Sequence, residues 1–533
     1  MELMWVAEDW FIFLGGLLAI LLMIGIMVDG SEYLGKRGIT SWGPVIFVRT
    51  TRGLAMLNRL ARFGRLWRPL ATAGVPLVVA GMFYFLALLL LINYMMILMP
   101  PEPGDYNAPR NILLIPGVNQ YIPLVWGWIA LAVTIVVHEF AHGVLCRVEG
   151  VRVRSMGAIF LLFPLGAFVE PDDEELFGSK NKPAVASRAA RIRILSAGVI
   201  ANFAIAALAL FLFFGPVLSA IAPVDSVVVA DVEEGSQAQA EGFEKGMIVS
   251  GFGSLDEFYS SLVRSGSSAV RVIREGDETA LELNISGSPA RGVMVISTFD
   301  GSPARLAKMP ERFLITGLNG TPAADLESFR SLMAATIPGQ PLSVDTDRGS
   351  FQINLDDRGD GTGMIGVGLS GSAVDIGGAV FQIFPARPFL DVLRSIPSSG
   401  LIGFNTLMSL PFRGVSGFTE DGFQGFSGNM LHFFQPVGWA EPLGGRIFWL
   451  ANLLLWVGWI NLYAGLFNCL PAVPLDGGHV FRDLVRLLLD PLVRDERRSE
   501  RLTGAAVMLL SGLIIFSLLF TVIGPYLAHG LPS

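Results

Sequence analysis

The sequence predicts a polytopic α-helical membrane protein of about six spans, interrupted by one large and more polar insertion. Three observations predict it. Of 533 residues, 52% are hydrophobic and 16% charged, where soluble domains carry about a quarter charged residues, and the mean hydropathy is +0.56. Six apolar runs reach the ~20 helical residues that cross a bilayer. Residues 222–446 contain no comparable run. This composition excludes a wholly soluble enzyme and a disordered chain. The two cysteines, Cys146 and Cys469, exclude a disulfide framework. A net charge of −8 offers no general attraction for nucleic acid, and no such partner is expected.

The expected spans are Trp10–Val28, Gly74–Met99, Ile122–Cys146, Ile194–Ile221, Ile447–Leu470 and Thr503–Gly524. The first reads as a retained span rather than a signal peptide. Its flank is acidic (Glu2, Glu8, Asp9), its core is long, and no small-residue cleavage site precedes Asp29. Basic residues in short loops set orientation. Lys36, Arg37, Arg49, Arg52, Arg59, Arg62, Arg65 and Arg68 lie between spans one and two; eight more run from Arg147 to Arg193, and six from Arg482 to Arg501. The opposite side has only Arg110 outside the insertion. The basic side is therefore expected to be cytoplasmic, with both termini and the insertion outside the cell membrane. The stretch Thr50–Arg68 spaces apolar residues between arginines, as either an interfacial amphipathic helix or an ordinary basic loop would.

Span three ends Val137-His138-Glu139-Phe140-Ala141-His142. Histidines at i and i+4 share a helix face, so both imidazoles can reach one zinc ion, with Glu139 between them as a general base. Ionisable groups inside a span are costly and rarely kept without a role. A catalytic zinc usually takes a third protein ligand. His432 and His529 are expected on the wrong side, and His479 follows two glycines at the start of a new helix. Asp476 is the better candidate. It closes Asn468-Cys469-Leu470-Pro471-Ala472-Val473-Pro474-Leu475-Asp476-Gly477-Gly478 at the inner end of span five, where prolines break the helix and glycines are read as permitting a tight turn.

Together, HEFAH in one span and NCLPAVPLDGG in a later one resemble the site-2 protease family of intramembrane zinc metalloproteases. The resemblance implies His138, His142 and Asp476 as ligands of Zn2+, Glu139 as catalytic base, and Asn468 as an amide contacting substrate or transition state. Leu162-Phe163-Pro164-Leu165-Gly166-Ala167-Phe168-Val169 is similar to the family's re-entrant β-loop, which implies Gly166, Ala167 and Phe168 as substrate-binding positions. Ser196-Ala197-Gly198-Val199-Ile200-Ala201-Asn202-Phe203 is similar to its Gly-Pro-x-x-Asn motif, with Val199 in place of proline, and adds Asn202 to that set.

The insertion contains a diverged repeat. Gly235-Ser236-Gln237-Ala238 precedes Gly246-Met247-Ile248-Val249 and Leu255-Asp256-Glu257-Phe258; Gly301-Ser302-Pro303-Ala304 precedes Phe313-Leu314-Ile315 and Leu326-Glu327-Ser328-Phe329. Each copy continues into alternating strands, Ala269–Arg274 with Ala280–Ile285 and Leu342–Thr346 with Phe351–Leu355. This order resembles tandem PDZ domains, an α+β, β-rich region that several family members carry here. Their expected roles are capture of peptide C-termini or exclusion of bulky substrates. Leu401–Phe412 and Met430–Trp439 are expected at the outer interface.

The expected organisation is therefore 1–73, first span and basic loop; 74–221, first part of the membrane core; 222–288 and 289–375, two PDZ-like domains; 376–446, an interfacial linker; 447–533, second part of the core. The expected function is cleavage of transmembrane protein substrates, some of them pre-cut by another protease, in regulated intramembrane proteolysis. Two rivals stand beside it: a membrane-anchored PDZ peptide-binding or scaffold protein with a non-catalytic metal site, and a metal transporter. Glu139 argues against the first, since a structural zinc needs no base. Against the second, no ladder of ionisable residues crosses the spans.

Overall fold

The computed structural model describes residues 18–104, 108–111, 114–161, 164–179, 182–265, 267–274, 280–413, 422–493 and 495–530. Five helices among these are long and apolar enough to cross a membrane: α1 (Gly64–Leu98), α2 (Leu124–Val148), α3 (Arg188–Leu212, continued by a π turn to Val217), α4 (Arg446–Asn468) and, after the shorter α5 (Asp476–Leu489), α6 (Glu496–His529). The protein is a multi-pass membrane protein with an inserted β-rich region. Of the expected first span, residues 10–17 lie outside the described residues, and the remainder is helical as Leu18–Asp29.

The chain forms two compact units. The first comprises Met1–Pro216, Ser399–Gly425 and Leu450–Ser533; the second comprises Val217–Ser398 and Phe426–Trp449. In the first, helices approach closely where side chains are absent: a Cβ at Gly74 would stand 2.5 Å from Ile200, and one at Gly465 2.7 Å from Phe203. Small residues at such contacts are how helices pack where lipid removes the hydrophobic drive. Two of the three indoles of α4 donate to carbonyls, Trp456 to Gln424 (2.9 Å) and Trp459 to Leu407 (3.1 Å).

Two stretches of this unit that were expected at membrane interfaces or in a loop pack in part against protein. Thr50–Arg68 is not one helix: Leu54–Ala61 is a separate short helix whose Leu57 is fully buried, and α1 begins at Gly64. Its apolar face is thus taken by protein, in a cluster with Val144 and Val169. Leu401–Phe412 falls in the helix Gly400–Arg413, where Phe404 and Met408 join Phe85, Leu466 and Ile514. Tyr84 of α1 donates to Asn405 at 2.8 Å. The aromatics that suggested an interface belong in part to a packed core.

The unit also holds a four-stranded antiparallel sheet, β1 (Ile39–Trp42), β2 (Val45–Thr50), β3 (Val153–Phe160) and β4 (Pro164–Pro171), in that spatial order. The expected re-entrant loop contributes β4, an edge strand; Leu162 and Phe163 lie outside the described residues.

The second unit contains an 11-stranded sheet. Its strands include β5 (Val227–Val232), β6 (Ile248–Val249), β7 (Ser267–Ile273), β8 (Leu281–Ser286), β9 (Ala290–Thr298), β10 (Phe313–Leu318), β11 (Pro341–Thr346), β12 (Gly349–Asn354), β13 (Val367–Ile376) and β14 (Ala379–Ile383). The order is β12-β11-β10-β9-β13-β14-β5-β6-β7-β8. Two cores underlie it, one around Phe243, Phe258, Val272 and Phe381, the other around Val293, Phe313, Phe329 and Val344.

The repeat is legible in detail. Ser236 caps the helix Gln237–Glu241 by accepting from Gln239, and Ser302 caps Pro303–Leu306 by accepting from Arg305. Gly235 and Gly301 precede them at φ +74° and +73°, the left-handed region that glycine enters at no steric cost. Ala238 N–H donates to Gly377, and Ala304 N–H to Ile365. The copies are nested rather than consecutive. The second closes on the start of β13, while the first closes on β14, after the whole of the second has intervened. Ala379–Ile383 falls in the expected linker, yet it pairs with β5.

Phe381 is fully buried in the first core. Phe381→Ala is expected to destabilise that repeat by about 3–5 kcal/mol, read as faster limited proteolysis within 222–289 of the full chain. An unchanged digestion pattern would remove β14 from the first repeat.

Candidate metal centre

The i, i+4 histidines of α2 point to one face, and α3 supplies the surface they rest on. Along α3, Ile194, Gly198 and Asn202 recur at i, i+4, i+8 and so lie on one stripe. The Ile194 carbonyl stands 2.7 Å from His142 Nδ1. The Asn202 amide stands 3.2 Å from His138 Nδ1. Between them, Gly198 leaves room for the imidazoles: a Cβ there would lie 2.5 Å from His142 Nε2 and 2.6 Å from His138 Nε2.

Asp476 opens α5. The glycines after it are helical, and neither has the positive φ that a turn would use. Their purpose is close approach. A Cβ at Gly477 would stand 2.2 Å from the Cys469 carbonyl oxygen, and one at Gly478 2.6 Å from that of Ala472. The proline-broken stretch after α4 is thus folded tightly onto the first turn of α5, which presents the aspartate.

Asp476 Oδ2 lies 2.9 Å from His138 Nε2 and 3.2 Å from His142 Nε2, and the two nitrogens are 3.1 Å apart. These are the donors of the one metal-capable group among the described residues. Tetrahedral zinc with bonds of 2.0–2.1 Å separates its ligand atoms by about 3.3 Å, so the donor set fits zinc. The outer nitrogens agree. His142 Nδ1–H donates to a carbonyl, which turns the Nε2 lone pair inward. Asn202 Oδ1 is buried with no partner; rotating the amide by a half-turn would let it accept from His138 Nδ1–H in the same manner.

Glu139 Oε2 accepts a 3.0 Å hydrogen bond from the N–H of Val169 on β4. The expected base is therefore oriented by the backbone of an edge strand. The other expected positions scatter. Gly166 faces Ile135 of α2. The Phe168 ring packs edge-on to Phe47 at 5.9 Å, with the Arg49 guanidinium over both. Asn202 is fully buried, beside the histidine. Asn468 is half-buried at the end of α4. His479 packs near Phe177 (5.7 Å between ring centroids), and His529 Nε2 is 3.0 Å from the Pro100 carbonyl; neither joins the donor set. The Ile194 carbonyl and the steric role of Gly198 escaped sequence reasoning, although the spacing Ile194–Gly198–Asn202 was available as a signal.

Comparison with known proteins agrees with this geometry. The model of peptidase family M50, the site-2 protease family, matches residues 126–511. The chain belongs to that family. Membership makes it a site-2 protease-like metalloendopeptidase. An uncharacterized protein of Methanocaldococcus jannaschii is 28% identical over 260 residues, covering 47% of this chain and 66% of its own length. Protease RseP of Yersinia pestis is 25% identical over 456 residues, covering 73% of this chain and 96% of its own. Regulator of sigma-E protease RseP of Salmonella typhimurium is 24% identical over 452 residues, with the same coverage of 73% and 96%. The M50 match spans both halves of the donor set and the insertion between them.

Gly198→Ala is expected to push the imidazoles apart and weaken zinc binding by roughly 10–100-fold, measured by chelator competition. Gly504→Ala, where a Cβ would meet nothing within 4 Å, is the control. Equal affinities in the two variants would refute the packing argument.

Proposed function

We propose that this M50 member is an intramembrane zinc metalloprotease that cuts transmembrane segments of membrane-protein substrates in regulated proteolysis. The observation that carries the proposal is Glu139, adjacent in sequence to a ligand histidine and held by the N–H of Val169. His138, His142 and Asp476 would hold the zinc, which supplies Lewis-acid polarisation of the scissile carbonyl. Glu139 takes the proton from the attacking water and returns it to the leaving amine. Asn202 and the Ile194 carbonyl fix the imidazoles; burial of Asn202 favours that role over contact with substrate. Asn468 is the amide proposed to face substrate.

A helical substrate in a membrane has its carbonyls occupied by its own hydrogen bonds, and unwinding needs replacements. The edge of β4 offers them. Alternate residues of an antiparallel strand direct their N–H and C=O to the same side. Val169 N–H is committed to Glu139, so Ala167 points its backbone to that same free side. An extended substrate would pair at Ala167 and end beside the base. The loop charges support a metal site near the cytoplasmic face and an insertion outside. There the nested repeats, as PDZ-like folds, would hold peptide C-termini or exclude bulky substrates.

The experiment is cleavage of a labelled single-span substrate in proteoliposomes. Glu139→Gln is expected to lower turnover roughly 10²–10⁴-fold with zinc content unchanged; wild-type rates in that variant would overturn the assignment, and peptide binding without cleavage by either protein would favour the PDZ scaffold. Ala167→Pro removes the outward N–H on an edge strand that tolerates proline. It is expected to lower turnover about tenfold at unchanged zinc affinity, and full activity would refute strand pairing at that position.

A further inference from the structure

Away from the donor set, Arg191 of α3 and Asp483 of α5 form a buried fork. Nε lies 3.0 Å from Oδ2 and Nη2 2.7 Å from Oδ1, with side chains 15% and 8% exposed. A buried ion pair is a poor stabiliser, since desolvation consumes most of its attraction, and its best-attested use is to specify register. Apolar packing also joins these helices: Val480 lies in a cluster with Ile192, Leu195 and Val199. Such contacts are non-directional and do not by themselves select one axial position.

The spacing links the fork to the metal centre. Asp483 follows Asp476 by seven residues on α5, and Gly198, against which the ligand histidines pack, follows Arg191 by seven on α3. Seven residues are two turns, about 10.5 Å along either helix and on the same face. The two helices run in opposite senses, so the fork and the donor set form two rungs of equal separation. Arg188 of α3 and Asp490, the residue that follows α5, form a further ion pair, more exposed than the fork. A slip of α5 by one residue is a shift of about 1.5 Å, which would carry Asp476 Oδ2 away from two nitrogens it now meets at 2.9 and 3.2 Å.

We propose that Arg191 and Asp483 are positioning residues: their fork sets the axial register of α5 on α3 and thereby holds Asp476 against His138 and His142. The proposal rests on the zinc-site reading above. Its test is zinc affinity of the full chain in detergent, by chelator competition, with the visible absorption of the Co2+-loaded protein as a report on ligand geometry. Arg191→Met and Asp483→Asn are each expected to weaken zinc roughly tenfold or more and to alter the Co2+ spectrum. Arg191→Lys, which keeps the charge and loses the fork, should fall between them and wild type. Exchanging the charges, Arg191→Asp with Asp483→Arg, should recover most of the affinity. Wild-type affinity in the single variants overturns the proposal, as does a loss that the exchange leaves uncorrected. A wild-type protein that binds no zinc overturns the metal-site reading and this one with it.

Discussion

A carboxylate and two imidazoles brought within 3.2 Å of one another impose the constraint from which the rest of the membrane unit follows. Their outward-facing atoms have little water to turn to, and an unpaired polar group in such surroundings costs several kcal/mol. Each therefore needs a protein partner on its far side. The stripe on α3 meets that need for the histidines. A broken segment after α4 carries the aspartate, and glycines let it fold back without steric conflict. The same requirement explains why Glu139 is bonded to a strand: the edge of a short sheet offers a backbone N–H that a helix interior does not.

Much of this was legible in the sequence, and the reason is the cost of charge in lipid. Against apolar spans, His138, Glu139, His142 and Asp476 stand out, and the structure brings the three proposed ligands to one point. Polar residues outside such a background carry less signal. Ile39–Trp42 and Val45–Thr50 are β-branched and aromatic, split by Gly43-Pro44, a hairpin pattern hidden inside a loop read only for its charge. The resemblance implies substrate contact for Asn202, whereas its amide lies buried 3.2 Å from His138 Nδ1; a motif names residue types and not the direction of a side chain. The glycines after Asp476 suggest a tight turn by sequence, whereas the structure uses their lack of volume; sequence alone does not separate these two uses.

The insertion shows a different limit. Similar segments reveal that a unit is duplicated, and here they also locate its caps, helices and hairpins. They do not reveal which strand closes which copy. That depends on pairing between distant residues, Phe381 with Val229 and Ala379 with Val232, which no local pattern encodes. The expected boundary at 375 therefore falls inside β13, one residue before its end, although β13 and β14 are paired in one sheet.

Nesting has a consequence for the order of events during synthesis. Domains usually fold as units while the chain emerges, the N-terminal one first. Here the sheet begun at Val227 lacks its β14 partner until Ala379–Ile383 has been made, and the strands of the copy inside it precede that segment. The inner copy is thus the early-folding body, and it draws the ends of the outer one together, lowering the entropy that closing so long a loop would otherwise demand. In this insertion the later sequence becomes the scaffold on which the earlier sequence is completed.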